Sequence, residues 1–125
     1  MVSHQIACSY CGFTYELKKP VNVCVKCGGA LLYRFNLYNL KISKIDLEKK
    51  YDVFWKYSIF LPINNLTNIV SLGEFYTPIL HLPKESVFGF GNVFVKDDGR
   101  LPTGTFKARG MSVAVSILRE LGVGR

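Results

Sequence analysis

The four cysteines of this 125-residue chain fall into two C-x-x-C pairs, Cys8 with Cys11 and Cys24 with Cys27, and no other spacing in it restricts the fold as much. Each pair is followed by glycine, Gly12 in one case and Gly28-Gly29 in the other, so the backbone can turn tightly around an ion. Four thiolates delivered by two such knuckles suit tetrahedral zinc, and the separation of the pairs matches a zinc ribbon. Two disulfides are the competing reading. The opening Met1-Val2-Ser3-His4 has no secretory character, so the chain is expected in the cytoplasm, where disulfides are rare. His4 is an alternative ligand, although four cysteines already fill the shell. Between the pairs, Phe13-Thr14-Tyr15-Glu16-Leu17 and Val21-Asn22-Val23 read as two short strands joined at Lys18-Lys19-Pro20, which puts the knuckles on hairpins. A ribbon over residues 1–36 buries too little apolar surface to fold unaided, so the metal is expected to supply much of its folding free energy. A closed shell of four protein ligands makes that metal structural rather than catalytic.

Residues 37–70 read as a helical connector. The stretch from Ile45 to Phe60 is expected to hold one or two short helices ending before Pro62, because the residue before a proline is disfavoured in helical geometry. Its aromatics Trp55, Tyr57 and Phe60 fit an apolar packing face better than a base-stacking platform. Charge points the same way. Sixteen basic residues against nine acidic give a net charge of +7, which raises the question of an anionic partner such as nucleic acid. The charges are scattered, however, with Lys18-Lys19 and Lys49-Lys50 as the adjacent basic pairs, so a solvated basic surface is favoured. No apolar run is long enough to span a membrane. The Gly-rich Phe88-Gly89-Phe90-Gly91-Asn92 precedes a strand, Val93-Phe94-Val95-Lys96, and reads as a turn rather than a phosphate loop, since no helix N-terminus follows it.

Near the end, Met111, Ala114, Val115, Leu118 and Leu121 recur at helical spacing, predicting a helix over Phe106 to Leu121 with Thr105 as N-cap and Gly122 and Gly124 as the stop. Lys107 then falls in the first turn, where the helix dipole disfavours a cation. An amine in that position is either an ordinary solvated lysine or a nucleophile activated by its surroundings for Schiff-base chemistry.

The run Lys96-Asp97-Asp98-Gly99-Arg100-Leu101-Pro102-Thr103-Gly104-Thr105-Phe106-Lys107-Ala108-Arg109-Gly110-Met111 resembles the cofactor-lysine segment of threonine synthases, commonly Asn-Pro-Thr-Gly-Ser-Phe-Lys followed by Arg-Gly. Leu101 stands where Asn is common and Thr105 where Ser is common. Upstream, Leu72-Gly73-Glu74-Phe75-Tyr76-Thr77-Pro78-Ile79 is similar to that family's Leu-Gly-Glu-Gly-x-Thr-Pro-Leu signature, with Phe75 in place of a glycine. Phe54-Trp55-Lys56-Tyr57 and Leu61-Pro62 resemble its Trp-Arg-Tyr and Leu-Pro elements, and archaeal-type members resemble this chain in carrying a paired C-x-x-C module. The resemblance implies an α/β protein: a small N-terminal zinc ribbon, then, over 71–125, the first and truncated part of a fold-type-II lobe dependent on pyridoxal 5'-phosphate (PLP).

It further implies conversion of O-phospho-L-homoserine and water to L-threonine and phosphate, with Lys107 holding PLP through its amine and the cysteines holding zinc. Arg109 matches a family position without a sequence warrant for a phosphate contact, and Asp97 and Asp98 are expected to cap the strand-to-turn transition. The family's groups for the cofactor's phosphate and ring lie in segments beyond Arg125, so this chain is expected to be inactive alone and to bind PLP weakly. A separate chain supplying the remaining catalytic groups, or self-association through an unpartnered helix face, follows from the same reading. Two alternatives stand beside it: a cysteate-synthase-like PLP enzyme, and a non-catalytic zinc-ribbon binding protein.

Overall fold

The computed structural model describes residues 4–16, 18–38, 40–48, 54–83 and 92–124. Strand β1 (His4–Cys8) runs directly into the first knuckle, and the chain returns as β2 (Thr14–Tyr15) after the amide of Cys8 bonds the carbonyl of Phe13 at 2.8 Å. The first knuckle thus forms the turn of a hairpin, as expected. The expected strand at 21–23 does not form. Instead β3 (Leu31–Phe35), which follows the second knuckle, pairs antiparallel with β1, giving the order β2-β1-β3. Both edges of β1 are therefore occupied, and Pro20, with no amide hydrogen, gives the 21–23 segment a poor start as a strand. Ile6, opposite both Tyr15 and Tyr33, is buried with Ala7 and Cys8.

Helix α1 (Lys44–Glu48) starts at a reciprocal cap: the Asp46 carboxylate accepts from the Ser43 amide at 2.9 Å, and the Asp46 amide donates to the Ser43 hydroxyl at 3.3 Å. A 3₁₀ segment, Phe54–Phe60, follows and buries Trp55 against the expected connector core, while Tyr57 stays at the surface near the Lys56 amine. The part of the connector between these two helices lies outside the described residues. Strands β4 (Ile79–Leu82) and β5 (Val93–Lys96) pair antiparallel from Ile79↔Lys96 to Leu82↔Val93, and the Gly-rich turn expected between them lies outside the described residues save Asn92. The whole is a small mixed arrangement of helices and antiparallel strands, and no parallel pair occurs among the described residues. None of the described helices is long and apolar enough to cross a membrane.

Helix α2 (Lys107–Glu120) ends as its sequence dictates. Gly122 takes a φ of +71°, its amide bonds the Arg119 carbonyl, and the Val123 amide bonds the Leu118 carbonyl, which together close a Schellman motif. Its start differs from expectation. Phe106 occupies the cap position with helical backbone angles and no side-chain cap bond, while the Thr105 hydroxyl is 3.3 Å from that of Thr103.

The apolar stripe is left without a partner among the described residues, as expected: Met111, Val115 and Leu118 are 57%, 40% and 38% exposed. Ala108, Ser112 and Ser116, four residues apart along another stripe, are the buried side chains of α2. Hydroxyls dock that stripe. Ser112 donates to the Val70 carbonyl at 2.7 Å, and Ser116 accepts from the Val70 amide at 2.8 Å while donating to the Ser112 carbonyl at 2.7 Å. One turn on, the Glu120 carboxylate accepts from the Asn64 side-chain amide at 2.7 Å and from the Asn65 backbone at 3.0 Å. The helix is thus sewn to residues 64–70 through polar bonds, and its apolar stripe faces outward.

Candidate functional site

Two clusters carry the chemistry. In the first, Cys8 Sγ lies 3.5 Å from Cys27 Sγ and Cys11 Sγ 3.6 Å from Cys24 Sγ, with all four sulfurs within 4.8 Å of one another. A tetrahedron with metal–sulfur bonds of about 2.3 Å has edges of about 3.8 Å. A disulfide requires about 2.05 Å. All four are free thiols, so the geometry fits a single ion held by four sulfurs and not the two-disulfide alternative. His4 takes no part: its ring packs near Tyr33 and Phe35, at 5.8 and 6.0 Å between centroids.

The knuckle backbones are built for this approach. Amides of Tyr10 and Cys11 both point at Cys8 Sγ from 3.4 Å, and Gly12 and Gly28 each take a φ of +72°. A β-carbon on Gly29 would come within 3.0 Å of Cys8 Sγ, so the residue there can only be glycine without displacing a ligand. Cys8 and Cys24 are buried and Cys11 and Cys27 exposed. Without an ion the thiols hold protons unequally. The Tyr15 hydroxyl, ahead of the Lys26 and Cys27 amides, draws Cys24 down to about 6 against its burial. For Cys27, the Gly29 amide lowers the thiol but the crowding of Cys8 and Cys11, with burial, overrides it and pushes it up to about 12. Such a cluster resists gathering four negative charges unless a cation neutralises them.

The second cluster surrounds Lys107. Strand β5 ends at Lys96, the Asp97 amide bonds the Pro78 carbonyl at 3.0 Å, and a short 3₁₀ turn, Asp98–Arg100, leads to buried Leu101. Gly104 then reverses the chain at a φ of +68°, and Lys107 opens α2. Its exposed side chain lines an open cavity of about 590 Å³, together with Lys96, Asp98, Gly99, Gly104 and Thr105. That volume lies in the range of small-molecule sites.

Behind the turn, Arg109 Nη1 meets Asp98 Oδ2 at 2.7 Å and Nη2 donates to Thr77 Oγ1 at 3.3 Å, while Thr77 donates to the other oxygen of Asp98. The Arg109 guanidinium, then the Thr77 hydroxyl, hold the Asp98 carboxyl below the usual aspartate range. Arg109 is thus a structural ion pair. Asp98 does not cap its turn as expected but ties it to α2 and to the Thr77-Pro78 segment, and Asp97 makes no cap bond either, pairing instead with Arg100 at 2.8 Å. Glu74 is buried beneath the same segment. Its carboxylate accepts from the Leu72 amide at 3.1 Å and from the Ser71 hydroxyl; burial alone would raise its pKa, but these bonds outweigh it and lower it. Phe75, in the place of a glycine, costs the backbone nothing: the left-handed residue of the turn is Gly73, at φ +83°, and Phe75 is not among the described residues with positive φ.

The chain as a whole is similar to known proteins. The chain is 38% identical over 119 residues to a threonine synthase from Methanocaldococcus jannaschii, a match covering 93% of this chain and 29% of the relative. It is 31% identical over 121 residues to one from Methanosarcina acetivorans, covering 96% and 29%, and 41% identical over 68 residues to one from Synechocystis, covering 53% and 18%. The chain is a relative of the threonine synthases. The two longer matches extend over nearly the whole of this chain. The chain spans less than a third of the length of the two threonine synthases that match nearly all of it. No protein-family model matches the chain, and no solved structure does.

A structural ion pair at Arg109 is within reach of sequence reasoning, but its partners Asp98 and Thr77 and the packing of the Ser112–Ser116 stripe are not identified by it. For the partners a signal existed, since both lie in the quoted motif segments. For the serines there was none.

Proposed function

We propose that this chain forms the cysteine-centre and lysine-bearing portion of a PLP-dependent enzyme of the threonine synthase type, acting on O-phospho-L-homoserine and water to give L-threonine and phosphate. One observation carries the reading: Lys107, in a motif like that of the threonine synthases, opens α2 at the rim of a cavity, on a turn fixed from behind by Asp98, Arg109 and Thr77. The cofactor, when bound, supplies an electron sink for charge developing on the substrate. Lys107 Nζ would hold the cofactor covalently, and as a free amine it would carry a proton at the substrate's carbons. The Asp98–Arg109 pair sets where the amine stands by fixing both ends of the segment that bears it. The cysteines hold a structural zinc ion, since four thiolates leave no open coordination position. The groups gripping the cofactor's phosphate and ring are supplied by polypeptide outside these 125 residues, continuous with the chain or separate from it, and the protein works in the cytoplasm.

Exchange of this chain for the matching segment of the Methanocaldococcus relative tests the proposal. The chimera is expected to release phosphate and form threonine, and Lys107→Ala in it to abolish both. Phosphate release that survives Lys107→Ala would overturn the assignment of the amine.

A further inference from the structure

The cysteine centre is not symmetric. Cys24 is buried, and its sulfur has a partner the other three lack: the Tyr15 hydroxyl, 3.1 Å away across nine residues of sequence. The direction of that bond is fixed by a second one. The Val25 amide donates to the Tyr15 oxygen at 2.9 Å, which leaves the hydroxyl's own proton to point at sulfur. The ring is held in place as well. Tyr15 belongs to β2, opposite Ile6 of β1, and its ring meets Phe13 edge-on at 5.0 Å, with the Lys26 amine 3.9 Å from the Phe13 ring on the other knuckle. A side chain from the first hairpin therefore reaches across and clasps the second knuckle at its ligand.

We infer that Tyr15 is a positioning residue for the metal centre, donating its hydroxyl proton to the Cys24 thiolate so that Cys24 is the most firmly held sulfur and the exposed Cys11 and Cys27 are the ones that leave first. This rests on the reading of the four cysteines as one metal site. A hydrogen bond to a thiolate withdraws charge from sulfur, which lowers its reactivity toward electrophiles and sharpens its orientation toward the ion, and partners of this kind typically govern affinity by about 10- to 100-fold. Cys8 is met by backbone amides at 3.4 Å and Cys27 by the Gly29 amide, whereas Cys24 is met by a side-chain hydroxyl held in place by its own packing, and it is the exposure of Cys11 and Cys27 that opens them to attack.

The test uses the full chain loaded with Co(II), then with Zn(II), and compares Tyr15→Phe with Tyr33→Phe as a control. In the wild type, mass mapping after timed alkylation by N-ethylmaleimide is expected to find Cys11 and Cys27 modified before Cys8 and Cys24. Tyr15→Phe should shift the sulfur-to-cobalt charge-transfer band, weaken zinc about 10-fold or more, and bring Cys24 up to the alkylation rate of Cys27, whereas Tyr33→Phe should do none of these. Because Tyr15→Phe can impair folding, a wild-type measurement stands beside it: in the 113Cd-loaded chain, the Tyr15 hydroxyl proton should show scalar coupling to cadmium through Cys24. An unshifted band with unchanged Cys24 alkylation in Tyr15→Phe, or no such coupling, would overturn the inference while leaving the metal site intact. Absence of any four-sulfur cobalt band in the wild type would instead overturn the metal reading beneath it.

Discussion

Replacing Ser116 by alanine removes a single oxygen from α2, yet it should harm the fold more than cutting back the larger Met111 on the opposite stripe. Ser116 is fully buried and its hydroxyl is the partner of the Val70 amide at 2.8 Å. Without it, that donor has no acceptor in place, a loss of about 1–3 kcal/mol. Alanine's better helix propensity returns about 0.5 kcal/mol, leaving a net cost of about 0.5–2.5 kcal/mol. Met111 is 57% exposed, so its truncation forfeits less than half of a buried methionine's contribution and costs about 1 kcal/mol or less. Urea melts of the metal-loaded chain, followed by the helical signal in the far ultraviolet, separate the two. At this chain length each kcal/mol lost should also lower the melting temperature of the serine variant by about 3–6 °C. Equal stability of Ser116→Ala and the wild type, or a larger loss from Met111→Ala, would refute the claim that hydroxyls rather than apolar side chains dock this helix.

Gly29→Ala should weaken cobalt and zinc binding, because its β-carbon would meet Cys8 Sγ at 3.0 Å; a metal titration matching the wild type would contradict this. Asp98, held below the usual carboxylate range first by Arg109, contributes stability that is fully present above the ordinary aspartate value of about 3.9 and is lost as pH falls through its lower folded value. The melting temperatures of the wild type and Asp98→Asn should therefore differ at neutral pH and converge in that acid range, and a constant gap down to low pH would count against the ion pair. The outward stripe of α2, with Phe94 of β5 62% exposed, should drive association. Sedimentation should show it rising with concentration and falling in Met111→Glu, and a strictly monomeric wild type would contradict it.

What the sequence made legible was local. The cysteine spacing prescribed one cluster, and the four sulfurs do converge; the helical spacing and the Gly122 stop placed both ends of α2 to within a residue, though the cap is Phe106 and not Thr105. What it hid was pairing over long separations. Residues 21–23 look like a strand in isolation, but β1 finds its second partner at Leu31–Phe35 because the second knuckle brings that segment alongside. Hydrophobic periodicity marked the apolar face of α2 that is left exposed, but it has no means of seeing that Val70 offers an amide and a carbonyl to a serine stripe on the packed one. Asp98, Arg109 and Thr77 were each visible in a motif, and only the fold showed that they bond one another.

The central claim, that Lys107 is the cofactor-bearing amine, is tested most directly by incubating the chain with PLP, reducing with borohydride and mapping the labelled peptides. The account predicts a weak but selective adduct on Lys107, ahead of Lys96 across the same cavity and of the surface lysines, and lost in Lys107→Ala. Label spread evenly over the lysines, or absent from Lys107 while others react, would contradict it.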